Sequence, residues 1–180
     1  MVTIGKNEIP NKSTELSVKQ FSKVNEILRS ENEPIEKWYQ IFTYLGADES
    51  DINDLEFDEF KEVIRLFNDS ESKDLEIQRT IEIDGYTYEA YKEEFKVSVK
   101  DLKAIEKLIA KNPNSYIAEM VAVLYKRTDL TEKEHYEPAH IKHKTTLFAD
   151  QKASFALPII WHVAKKMTNE IEKAEDESVA

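Results

Sequence analysis

Apolar residues recur along this chain at two different spacings, and the places where the spacing changes mark its organisation. Val18, Phe21, Val24, Ile27 and Leu28 fall on one helix face, behind Ser17 and Gln20 at the separation of a capping box. Ile35, Trp38, Tyr39, Phe42 and Leu45 predict a second helix, between a Pro34 suited to a first turn and a Gly46 suited to a stop. Phe57, Phe60, Val63, Ile64 and Phe67 predict a third. Ahead of these, the polar residues 1–15 with Pro10 predict an extended arm. Behind them, Asn68 to Asp74 carries no apolar residue and reads as a linker.

From Glu76 the period becomes two. Ile77, Arg79, Ile81 and Ile83 alternate up to Asp84-Gly85, a strong signal for a tight hairpin turn, and Tyr86, Tyr88 and Tyr91 continue the alternation on the returning strand. A two-stranded ribbon is marginal in water, so its apolar face needs cover from later helices or from a second copy. Ser98 and Asp101 then box the start of a helix carrying Leu102, Ile105, Leu108 and Ile109, which Asn112 and Pro113 end. Tyr116 to Tyr125 is apolar around most of its circumference and predicts a helix buried on nearly all sides. A polar loop from Lys126 to Pro138 leads to helices over Ala139 to Asp150 and from about Lys152 to Ala164, with Pro158 predicted to kink the last one or mark its true start.

The fold class predicted is α+β and mostly α-helical: a helical N-terminal unit, then a β-hairpin packed against a C-terminal bundle of about four helices. The divisions are an arm at 1–15, a helical unit at 16–68, a linker at 69–75 and a hairpin-plus-helix domain at 76–180.

Composition narrows the function. With 180 residues, 41% of them hydrophobic, the chain can bury one sizeable core or two small ones. A net charge of -11 repels phosphate backbones, which argues against specific nucleic-acid binding. Cysteine is absent, so no disulfide framework or thiolate chemistry is available. No apolar stretch approaches the roughly 18 residues of a membrane span, and the first residues lack signal-peptide character. Those features predict a chain made in the cytoplasm with no membrane partner.

Candidate chemistry is sparse. Asp48, Ser50, Asp51, Asn53, Asp54, Asp58 and Glu59 lie between two helices, yet a calcium loop begun at Asp48 puts Ile52 at a ligand position and Asn53 where glycine is needed. Begun at Asp51, it meets Leu55 and Glu56 at those places, so a solvated acidic turn is expected. His135, His140 and His143, with Glu137, form the one ligand-like cluster; a tetrahedral site needs a fourth group and supporting partners that the neighbouring residues do not offer. His162, beside Trp161, reads as a core or interface residue. Glu93 and Glu94 form a carboxylate pair of the sort an acidic chain holds in solvent. With three glycines, no phosphate loop or nucleophile elbow is present. Tyr86, Tyr88, Tyr91, Phe95 and Tyr116 form a stacking set without a basic groove, because Lys92, Lys96, Lys100 and Lys103 are interspersed with acids. No catalytic, cofactor or metal residue is assigned, and the expectation is a non-enzyme.

The hairpin residues Ile83, Asp84, Gly85 and Tyr88, the Ser98 to Ile109 helix, the run Ala122 to Arg127, Tyr136-Glu137-Pro138 and the Phe155 to Val163 block together resemble small virion and assembly proteins of tailed bacteriophages, the crAss-like phages in particular. The resemblance covers about half of the chain and leaves out the helices from Ser17 to Phe67. It implies a structural protein of the virion neck or tail: a ring component beside the portal, acting through copies of itself and neighbouring portal and tail proteins. The rival reading is a tail assembly chaperone that binds the tape-measure protein and is absent from the mature particle, since compact, acidic, helix-rich chains also serve as soluble binders. The expected contact surfaces are the ribbon edge, the N-terminal arm and the region of Trp38, Tyr39 and Trp161.

Overall fold

A computed structural model describes residues 1–68, 76–90, 98–111 and 116–165. It is mixed α+β and mostly helical, as the hydrophobic spacing predicts, with helices first, a small sheet, and packed helices after it. The expected linker at 69–75 lies outside the described residues, as do Tyr91, Glu93, Glu94 and Phe95.

The first residues do not form an extended arm. Strands β1 (Val2–Ile4) and β2 (Asn7–Ile9) pair antiparallel around a Gly5-Lys6 turn. Alternation within each strand turns Ile4 and Ile9 inward, where both are buried, and that burial is what holds the segment down. Gly5 sits at φ +58, and a side chain there would collide with the Asp51 carboxylate. Asp51 comes close enough to accept from the Lys6 N–H at 3.3 Å and so supports the hairpin turn, while Asp48, Ser50, Asn53, Asp54, Asp58 and Glu59 are exposed, as expected of a solvated acidic segment.

Helix α1 (Val18–Arg29) starts with the expected capping box, Gln20 N–H donating to Ser17 Oγ at 3.1 Å and Ser17 N–H to Gln20 Oε1 at 2.9 Å. Helix α2 (Pro34–Tyr44) begins at its proline, and a short α3 (Glu49–Asn53) precedes α4 (Phe57–Asn68). Trp38 and Phe42 of α2 meet Phe67 and Phe60 of α4 edge-on at 5.5 Å in each case, which sets the two helices antiparallel. Trp38 is thus half-buried within the chain.

In the second half, β3 (Thr80–Ile83) and β4 (Tyr86–Ala90) pair through a turn in which Asp84 and Gly85 both have positive φ, 54° and 74°. Helix α5 is Val99–Lys111 and α6 is Ile117–Leu124. Tyr125 does not extend α6, and the polar loop expected from Lys126 to Pro138 is shortened by a strand at its start and a short helix within it. The chain turns directly into β5 (Tyr125–Arg127), which pairs with β4 and makes the ribbon a three-stranded sheet in the order β3-β4-β5. Pairing with β4 satisfies backbone groups that a further helical turn would leave facing the sheet edge. Then come the short α7 (Glu132–His135), opened by a Thr131 and Glu134 capping box, α8 (Pro138–Ala149), and a last helix, α9, at 153–165 with Pro158 inside it.

Two apolar clusters fill the structure, and α9 serves both. Ala153 and Leu157 join the cluster of Ile4, Ile9, Ile41, Phe42 and Phe60, whereas Phe155, Ala156, Ile159 and Val163 join that of Tyr88, Val121, Tyr125 and Phe148. The backbone links them as well: Val18 N–H donates to Gln151 O and Ala153 N–H to Leu16 O, each at 2.7 Å. The helices on either side of the expected linker are therefore tied together.

Candidate functional site

The abrupt passage from α6 into β5 creates a specific need. Where a helix ends, its last carbonyls lose their partners, and a buried carbonyl without a hydrogen bond is costly. At this junction every residue from Met120 to Tyr125 is buried, so water does not supply the donors. Two side chains from later helices do. His135, at the end of α7, lies 3.0 Å through Nε2 from Val123 O, and Lys144, in the middle of α8, reaches Tyr125 O through Nζ at 3.2 Å.

The two side chains also touch each other, with Lys144 Nζ 2.8 Å from His135 Nδ1. Val123 O only accepts, so Nε2 carries the ring proton and Nδ1 is left to accept from the amine. Both residues are 1% exposed. Burial, reinforced by the neighbouring Lys144 charge, depresses the His135 pKa to about 3. Burial foremost, with Lys126 and Arg127 nearby and Asp101 opposing, lowers Lys144 to about 7. A neutral amine has two hydrogens, and two acceptors await them, so the geometry suits the uncharged form.

A second polar group abuts the first. Asp101, in the first turn of α5, is fully buried, yet its carboxylate accepts from Ser98 N–H at 3.0 Å, from the Ser98 hydroxyl and from the Tyr136 hydroxyl, with the Lys126 ammonium at 3.8 Å. The expected Ser98 and Asp101 box is present and does more than cap: it ties α5 to α7 and β5. Tyr136 is pushed up by burial and then by Asp101, so its hydroxyl stays protonated as a donor. Lys100 and Lys126 lie over its ring at 4.2 Å and 5.6 Å.

The histidine cluster of the sequence is not assembled. His135 turns into the core, His140 is half-buried and His143 is exposed on α8. Among the described residues no three His, Asp or Glu side chains come close enough to hold a metal ion. Of the aromatic set, the described members differ in setting: Tyr88 is fully buried, Tyr116 half-buried, and Tyr86 carries the Arg127 guanidinium over its ring at 4.1 Å. Trp161 is 41% exposed, and Tyr39 accepts from Asn53 Nδ2 at 3.4 Å.

Sequence reasoning missed Lys144, although a signal exists. Ile141, Lys144 and Phe148 follow helical spacing on the inward face of α8, and a lysine in an apolar stripe needs a partner. A cleft of about 360 Å3 between α1, α6 and α8 is lined by Lys19, Ser22, Glu26, Ala118 and Thr145, and it contains neither His135 nor Lys144. Lys144, 1% exposed, thus faces the Tyr125 carbonyl and the His135 ring and does not open onto that cleft. No protein-family model matches this chain, and no curated protein or solved structure does either. No described helix is long and apolar enough to cross a membrane.

Proposed function

We propose that this chain is a non-enzymatic structural protein of a tailed-bacteriophage particle, a ring component of the neck or tail that works through contacts with its own copies and with portal or tail neighbours. The observation that carries the non-enzymatic part is the sealed polar cluster. Asp101, His135 and Lys144, the titratable side chains buried together among the described residues, are each at most 1% exposed and are engaged in tying α5, α6, α7 and α8 together. Large apolar side chains instead reach solvent at scattered points, among them Ile35 at 62%, Phe57 at 63% and Trp161 at 41% exposure, the kind of anchors that protein contacts bury. The particle setting rests on the resemblance of the hairpin and following helices to phage neck and tail proteins. A ring needs each subunit to offer different surfaces to its two neighbours.

Native mass measurement of the purified full chain tests the ring: a closed oligomer of fixed copy number is expected, and a monomer at all concentrations overturns it. Mass spectrometry of purified virions separates the structural role from the chaperone role. Several copies per particle support the ring subunit, and absence from the particle favours the chaperone.

A further inference from the structure

The three-stranded sheet has two edges, and the fold treats them differently. β5 is three residues long, and its outward carbonyl at Tyr125 is occupied by the Lys144 amine. A short strand sealed by an inward-pointing lysine is a blunted edge. The opposite edge, β3, has no such guard among the described residues.

Its hydrogen-bonding phase is fixed by the register. Ile83 and Tyr86 close the two-residue turn, Ile81 pairs with Tyr88, and Ala90 N–H donates to Arg79 O at 2.8 Å. Arg79, Ile81 and Ile83 therefore direct their backbone groups at β4, and by alternation Thr80 and Glu82 direct theirs away from the sheet. Among the described residues nothing bonds these four outward groups. Side chains alternate too: Ile81 and Ile83 are half-buried against the core, while Thr80 and Glu82 are exposed on the other face. The stretch 76–84 holds Glu76, Glu82 and Asp84 against one base, Arg79.

We infer that the β3 edge takes up an extended segment of another protein by antiparallel strand addition, with basic side chains set against Glu82 and aliphatic ones beside Ile81 and Ile83. Main-chain bonds from Thr80 and Glu82 supply the affinity, and alternate side chains supply the choice of partner. The acidic edge of a chain with net charge -11 disfavours a second copy as occupant and favours a basic strand. This rests on the reading of the chain as a binding protein, and names one surface and the chemistry it selects.

The test uses the full chain, amide exchange followed by NMR, and two synthetic peptides, one alternating lysine with valine and the other glutamate with valine. In the free protein the Thr80 and Glu82 amides are expected to exchange freely while those of Ile81 and Ile83 are protected. The lysine peptide should protect Thr80 and Glu82, and the glutamate peptide should bind at least tenfold more weakly. Thr80→Pro removes an outward donor without touching a β3–β4 bond, because proline is tolerated on an edge strand. It should weaken lysine-peptide binding at least tenfold and leave the fold unchanged, and Glu82→Lys should reverse the peptide preference. Protection of Thr80 and Glu82 in the free protein overturns the inference, with the chain's own residues as occupant if it is independent of concentration and a second copy if it grows with concentration. Equal binding of both peptides, or no binding at millimolar peptide, also overturns it. Native mass reads the assembly separately: a ring that ignores the peptide sinks only the edge, and a monomer that binds it sinks only the ring.

Discussion

Lys144→Met tests the buried amine directly, because methionine keeps the side-chain volume and removes the charge. In the folded chain the lysine is 1% exposed, and burial with Lys126 and Arg127 nearby holds its pKa at about 7, against an ordinary 10.5. Between those values the unfolded chain binds a proton that the folded chain does not, so stability rises with pH across the window from about 7 to 10.5. At about 1.36 kcal/mol per pH unit the whole difference is worth about 5 kcal/mol, and roughly half of it falls between pH 6 and 9. Methionine abolishes this slope but leaves Tyr125 O and His135 Nδ1 without a donor, at roughly 1–3 kcal/mol each. The gain and the loss nearly offset at pH 6, so the variant should lie within about 2 kcal/mol of the wild type there and fall behind by about 2.5 kcal/mol more at pH 9. Urea unfolding, followed by the fluorescence of half-buried Trp38 at several pH values, reads the difference between the two proteins. A difference that is the same at pH 6 and pH 9 would refute a charge-averse site at Lys144.

His135 sets an acid limit by the same linkage: with a folded pKa of about 3 against 6.5, the fold should lose stability as pH falls through that range, and an acid transition that His135→Gln leaves unmoved counts against it. Asp101→Ala strands the Tyr136 and Ser98 donors and the Lys126 charge, so it should cost about 3 kcal/mol in denaturant unfolding; a loss below about 1 kcal/mol would mean that the cluster is dispensable. Tyr88→Phe should be neutral or stabilising by up to about 1 kcal/mol, because the buried hydroxyl has no partner among the described residues. Tyr125→Phe should cost about 1 kcal/mol, since that hydroxyl donates to Gln78 O at 2.5 Å, and reversed signs in thermal melts would contradict both assignments. Gly5→Ala should cost about 2 kcal/mol or more, from its positive φ and the clash with Asp51, and Asp51→Ala should recover part of that loss.

Much of the architecture was legible from short-range patterns. The Ser17 and Gln20 box, Pro34 at a helix start, Gly46 in a left-handed conformation at a helix end and the Asp84-Gly85 turn are local devices, and each acts where the sequence places it. The first fifteen residues were misleading because only two side chains, Ile4 and Ile9, carry their burial, too few for a periodic signal in a polar stretch. Tyr125 reads as helical in the sequence because the run before it is apolar without alternation, a pattern that a buried helix and a buried strand share. The candidate site is nearly invisible in the sequence: His135 reads only as a possible metal ligand, and Lys144 carries no local signal beyond its place between Ile141 and Phe148.

By itself the sequence determined the longer helices, the hairpin turn, the Ser17 and Ser98 caps and the absence of cysteine chemistry, since these depend on neighbours within a few residues or on composition alone. Tertiary structure decided the rest. It turned Tyr125 to Arg127 into a third strand because β4 had an edge to satisfy, and it drew His135 and Lys144 inward because that turn left two carbonyls in a dry core. The same step closed one side of the sheet and left Thr80 and Glu82 facing outward on the other. Hydrogen-bond demand at such a junction is set by chain segments 10 to 20 residues apart, as between Val123 or Tyr125 and their donors, beyond the reach of any local pattern.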